Sequence, residues 1–138
     1  MTKLLLDTNA LVYVIDENSK FFSYIRKLLS KPGYEFYTTS KNIAEFLAVV
    51  TKYPKPALDI KSALIAVKDF QSHFQILYPS ESSFSLFIEL AEKYQPAGLL
   101  IHDVEIASIA LANHIDTVVT FNTKDFTLFT EIKIFSFQ

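Results

Sequence analysis

The sequence contains no cysteine in its 138 residues, which excludes disulfides, thiolate zinc sites and cysteine nucleophiles. Glycine occurs only at positions 33 and 98, so a glycine-rich phosphate loop has no place in it. No apolar run approaches the roughly 20 residues of a bilayer crossing. The leading Leu4, Leu5 and Leu6 are cut short by Asp7 before the core of an export signal could form. A soluble, cytoplasmic protein with no membrane attachment is the expectation. An excess of positive charge is also missing: the formal net charge is -2 and the pI about 5.9, without the basic balance typical of polyanion binders. The thirteen basic residues are nevertheless uneven, ten of them at or before Lys68, so charge that could meet phosphates gathers in the first half. Taken singly, most of these lysines read as a solvated helix surface.

What is present is a chain 50% hydrophobic, enough for one compact domain over residues 1–138 with a substantial core. KLLL reads as a short buried strand, and Thr8 to Asp16 as a turn into a brief helix. SKFFSYIRKLLSK spaces Phe21, Phe22, Ile25, Leu28 and Leu29 along one helical face and ends at Pro32-Gly33. EFYTT suits a strand. SKNIAEFLAVVTK is a helix with Ser40 as its N-cap, a face of Ile43, Phe46, Leu47 and Val50, and a stop at Pro54 and Pro56. Asp59 caps a further helix through Phe70, and FQILY is a strand. Ser80 caps a helix whose apolar face is Phe84, Phe87, Ile88 and Ala91, before the break at PAG, residues 96–98. HDVEIASIALANH offers a small-residue face of Ile106, Ala107, Ile109 and Ala110. DTVVTF is a buried strand and KIFSF a last one. Strands alternating with helices predict a three-layer α/β/α domain with a mostly parallel central sheet. Such sheets bind ligands beyond the carboxyl ends of their strands.

Asp7, directly after KLLL, falls on that edge, where it either faces a ligand or caps the helix beginning near Thr8. Glu45 interrupts the apolar face of IAEFLAVV. Asp103 lies in the first turn of its helix, in register with Ile106, Ala107 and Ala110. Both point toward packed surface, where a carboxylate is costly unless paired or cation-bound, although the helix dipole alone accounts for a first-turn aspartate. Asn122 and Asp125 occupy the turn after TVVT, again on the carboxyl edge. Clustered carboxylates repel, so some hold protons or a metal neutralises them. His73, His102 and His114 lack zinc-like spacing, and His102 reads as a cap or surface residue. Oxygen ligands alone favour Mg2+ or Mn2+. Two such cations roughly 3.5 to 4 Å apart can drive phosphodiester cleavage.

LLLDTNALV near the start, SKNIAEFL in the middle and IHDVEIASIALANHIDTVVTFNTKDF near the end resemble the successive motifs of PIN-domain ribonucleases, nearly end to end. The compact length most resembles VapC-type toxins of toxin–antitoxin pairs. The resemblance implies a PIN fold and Mg2+- or Mn2+-dependent RNA endonuclease activity, with water attacking phosphorus. By position, Asp7, Glu45 and Asp103 are the core ligands. Asn122 stands where many relatives carry aspartate, so Asp125 supplies the fourth carboxylate or the second ion binds weakly or only with substrate. Thr8, Asn9 and Thr120 match positions that orient the acids or bound water; Asn9 also suits a helix start. The resemblance further implies a cognate antitoxin and a homodimer. Thirteen phenylalanines and seven tyrosines are compatible with an apolar contact surface, though most are expected in the core.

Other classes fit less well. A haloacid-dehalogenase-like phosphatase needs a second acid where this chain has Asn9. A receiver domain needs an acidic pair after the first strand and an aspartate ending a central strand, and FQILYPS has none. A catalytically silent PIN-like RNA- or protein-binding module is the alternative that Asn122 keeps open.

Overall fold

The computed structural model describes residues 1–52 and 57–137. Pro54 and Pro56, the expected stop of the third helix, lie outside that range. Strand β1 (Thr2–Leu6) runs into α1 (Thr8–Ile15) through the single residue Asp7, and α2 (Phe22–Leu29) precedes β2 (Tyr34–Thr39). Then come α3 (Ser40–Val50), α4 (Ile60–His73), β3 (Gln75–Leu77), α5 (Glu81–Tyr94) and α6 (Leu100–Ala112). β4 (Thr117–Val119), a 3-10 turn (Thr123–Asp125) and β5 (Lys133–Ile134) complete the order. The five strands form one parallel sheet in the order β3-β2-β1-β4-β5.

Period-2 alternation divides the core. Leu4 and Leu6 face a cluster with Leu11, Ile25, Phe46 and Phe70 from α1 to α4, while Leu5 faces Leu90, Val104, Ala107 and Ile115 on the side of α5 and α6. KLLL is continuously apolar because β1 is buried on both faces. The expected faces of α2 and α3 are borne out: Ile25, Leu28, Phe46 and Val50 are buried, with Ile43 and Leu47 half-buried. Small residues on α6 bury Ala107 and Ala110 completely. The α6 helix shares a buried cluster with Leu90 of α5 and with Leu5 and Val118 of the sheet, and its residues from Val104 onward are all buried or half-buried.

Two sequence expectations are corrected. The N-cap of α3 is Thr39 rather than Ser40: β2 passes into the helix with no intervening loop, and the extended Thr39 accepts from the Asn42 N–H. On α5, Phe84 is 63% exposed and Ile88 41% exposed. The helix instead buries Ser83 and Leu90, with Phe87 and Tyr94 half-buried. Its apolar surface is wider than the stripe that α6 and the sheet can cover, so the outer part faces away. The Asp59 and Ser80 caps are present, each side-chain oxygen accepting from the N–H three residues on. Gly98, at φ 62, takes the left-handed turn that admits the chain into α6.

Because β2 and β3 lie on one side of β1 and β4 and β5 on the other, the chain reverses its winding direction at the β1/β4 pair. Open α/β sheets form a ligand crevice at such a point. The Asp7 N–H donates to the Val119 carbonyl (3.0 Å), fixing the ends of the two strands together there.

Candidate functional site

A cleft of about 430 Å³ opens at this crevice, lined by Asp7, Glu45, Asp103 and Asp125 together with Thr8, Asn9 and Asn122. All four predicted acids share it, and none of them pairs with a lysine or arginine among the described residues. No lysine or arginine lines it either.

Asp7 is the most enclosed, at 5% exposure. It holds the N-cap position of α1, yet its side chain does not cap that helix. One carboxylate oxygen accepts from Asn42 Nδ2 (3.2 Å) and the other from the Thr120 hydroxyl (3.0 Å). Thr120 in turn accepts from Asn9 Nδ2 (3.0 Å) and from the Asn122 N–H (3.1 Å). Asn9 Oδ1 accepts from the Phe121 N–H (3.0 Å). Asn9 therefore ties α1 to the end of β4, a longer-range task than the helix-start reading assigned to it. Thr8 accepts from Asn42 (3.0 Å).

Burial pushes the Asp7 carboxyl up to about 6, with Glu45 and Asp125 adding repulsion, against the Thr8 N–H and Thr120 hydroxyl that favour the ionised form. Asp103, on the first turn of α6, is less buried than Asp7 and still rises to about 7. Desolvation is the largest cause, followed by the charges of Asp125, Asp7 and Glu45, and no hydrogen bond offsets them. Desolvation and Glu45 also raise Asp125. Glu45 departs from expectation: it is exposed and reaches into the cleft from the side of α3, leaving the packed face to Asn42 and Phe46. In the turn after β4, Asn122 donates its amide to Asp125 Oδ2 (2.8 Å), so these two side chains act as a unit.

Asn42 escaped the sequence reading, as did the cleft-lining Val12, Tyr13, Val49 and Leu99. An asparagine in the first turn of a helix reads as a local capping residue, and only the three-dimensional pairing with Asp7 separates it from that role. Its position three residues before Glu45 was the one available signal.

The donor set is oxygen throughout, and Asp7, Asp103 and Asp125 hold protons more tightly than usual, chiefly because burial desolvates them and further because neighbouring acids repel them. Both properties suit a hard divalent cation. Among the described residues no three Asp, Glu or His side chains are gathered closely enough to chelate an ion unaided. An ion held here through one or two carboxylates would retain several waters, as magnesium commonly does.

A family model described as PIN domain matches residues 4–131. Among solved structures, VapBC2 from Rickettsia felis, bound to a DNA fragment from its promoter, is similar with a TM-score of 0.74 and 25% identity, covering 97% of this chain and 98% of that one. DNA-bound VapBC from Salmonella typhimurium gives a TM-score of 0.71 and 24% identity over 100% of both chains. VapC20 from Mycobacterium tuberculosis, described as a sarcin-ricin loop cleaving toxin, gives 0.69 and 10% identity over 88% of this chain and 92% of that one. No curated protein matches the sequence.

Proposed function

The chain belongs to the PIN-domain family, and on that footing we propose that it is a single-domain, cytoplasmic, Mg2+- or Mn2+-dependent RNA endonuclease, the VapC-type toxin of a type II toxin–antitoxin pair. One observation carries the reading: four acids from the end of β1, α3, α6 and the turn after β4 line one cleft at the sheet's reversal point, with no lysine or arginine among its lining residues and only His102, expected as a cap or surface residue, beside them. Mutual repulsion there is relieved by a divalent ion.

Asp7, Glu45, Asp103 and Asp125 would hold the ion, one or two of them directly and the others through its waters, with the Asn122 amide oxygen as a neutral donor. When bound, it supplies Lewis acidity for phosphodiester hydrolysis. The chain's own contribution is placement. Thr120 and Asn9 keep the Asp7 carboxylate turned toward the cleft, and Thr8 closes the polar layer beneath it.

RNA as substrate is supported by the relative described as cleaving the sarcin-ricin loop. An antitoxin partner is supported by the VapBC complexes. Exposed Phe84, Ile88, Leu99 and Ile101 provide apolar surface for such a partner or for a homodimer contact. No helix among the described residues is long and apolar enough to cross a membrane.

The test is RNA cleavage by the purified chain with Mn2+, with chelator, and in Asp7→Asn and Asp103→Asn. Cleavage is expected only with the ion, and each variant should lose at least about 100-fold in rate. Activity that persists in chelator or in both variants refutes the metal mechanism. RNA binding with no cleavage under any condition would make the chain a silent PIN-like binding module.

A further inference from the structure

Asn42 is completely buried in the first turn of α3, and every polar atom of its amide has a partner. The Thr39 hydroxyl accepts from the Asn42 backbone N–H (3.0 Å), which leaves its single hydrogen to donate to Asn42 Oδ1 (2.6 Å). The Asp7 carboxylate on the far side settles which end of the amide is which. The NH2 group is turned away from Thr39 and donates to Asp7 Oδ1 (3.2 Å) and to Thr8 Oγ1 (3.0 Å). The opposite orientation would set a carbonyl oxygen against a carboxylate. Thr39 is the last residue of β2 and Asp7 follows β1, so the amide spans the ends of two neighbouring strands. Glu45 lies three residues further along the same helix, about one turn away.

We propose that Asn42 is a positioning residue: a buried amide clamp that locks the Asp7 carboxylate in one orientation and holds it in fixed relation to Glu45. It touches neither ion nor RNA. With Thr120 on the other oxygen, Asp7 is held from both sides, leaving its remaining lone pairs directed into the cleft. Removing one holder frees the carboxylate to rotate. The consequence for ion binding rests on the function proposed above; the consequence for Asp7 itself does not.

Two measurements on Asn42→Ala separate these. Three-bond couplings in NMR report the Asp7 side-chain rotamer without any ion, and calorimetry with MnCl2 alone reports the dissociation constant. In the native chain Asp7 is expected in one rotamer, and in the variant it should average over several while circular dichroism remains native. Mn2+ affinity should fall about 10- to 100-fold, and residual RNA cleavage should show a reduced kcat with KM little changed. A single Asp7 rotamer retained in folded Asn42→Ala overturns the clamp. If the native chain binds no Mn2+, the metal reading fails while the rotamer comparison still decides the clamp. Should alanine prevent folding, Asn42→Ser keeps a polar group at the site and is read the same way.

Discussion

Asn122 and Asp125 illustrate how much one atom can decide in this cleft. The Asn122 amide donates to Asp125 at 2.8 Å, so an aspartate in its place would set two carboxylates against each other. Without an ion they would share a proton or push apart. Asn122→Asp is therefore expected to lower the melting temperature of the metal-free chain and to tighten Mn2+ binding, both measurable by a thermal shift series at rising MnCl2. A variant equally stable without the ion, or binding Mn2+ no better, would remove position 122 from the ligand set. That Asp7, Asp103 and the Asn122–Asp125 pair meet at one edge was legible in the sequence, because each follows a buried strand or opens a helix. Asn42 was not, since its partners lie 34 and 35 residues away. Glu45 was found for an incomplete reason: it breaks an apolar pattern, but it faces the cleft rather than the core.

At the level of elements, the junctions carry the site. Thr39 caps α3 and also orients the Asn42 amide, whereas Ser80 forms a reciprocal capping box with Ser83 far from the acids. Losing either cap should cost about 1 kcal/mol in chemical denaturation. Thr39→Ala should in addition weaken Mn2+ binding, and Ser80→Ala should leave it unchanged. Equal effects on ion binding would mean that Thr39 acts through helix stability alone. Most elements were readable from period and punctuation. The misread face of α5 has a physical cause: its apolar positions run wider than its contact with α6, and periodicity cannot tell which part of a broad stripe is covered. The Ser40 assignment failed because a strand passing straight into a helix leaves the cap to its own last residue.

Across the whole molecule, the acids make stability depend on pH. Asp7 and Asp103 move from 3.8 to about 6 and about 7, so the folded chain binds these protons more tightly than the unfolded one. Their contribution is full below the unfolded value and is lost as pH rises through the folded values. Asp59 and Glu131 shift downward, placing their opposite effect at acidic pH. The metal-free chain should thus melt lower at about pH 8 than at about pH 5, and Mn2+ should raise the melting point more at the higher pH. A flat profile, or equal stabilisation at both, would mean that the fold does not raise Asp7 and Asp103 in this way.

The direct passage from Thr39 into Ser40 sets the phase of a whole helix. One residue inserted at that joint would turn everything after it by about 100° and advance it about 1.5 Å. Glu45 would swing out of the cleft, and Phe46 would leave the core with it. At this seam even the smallest insertion would break up the acidic cleft and unsettle the fold.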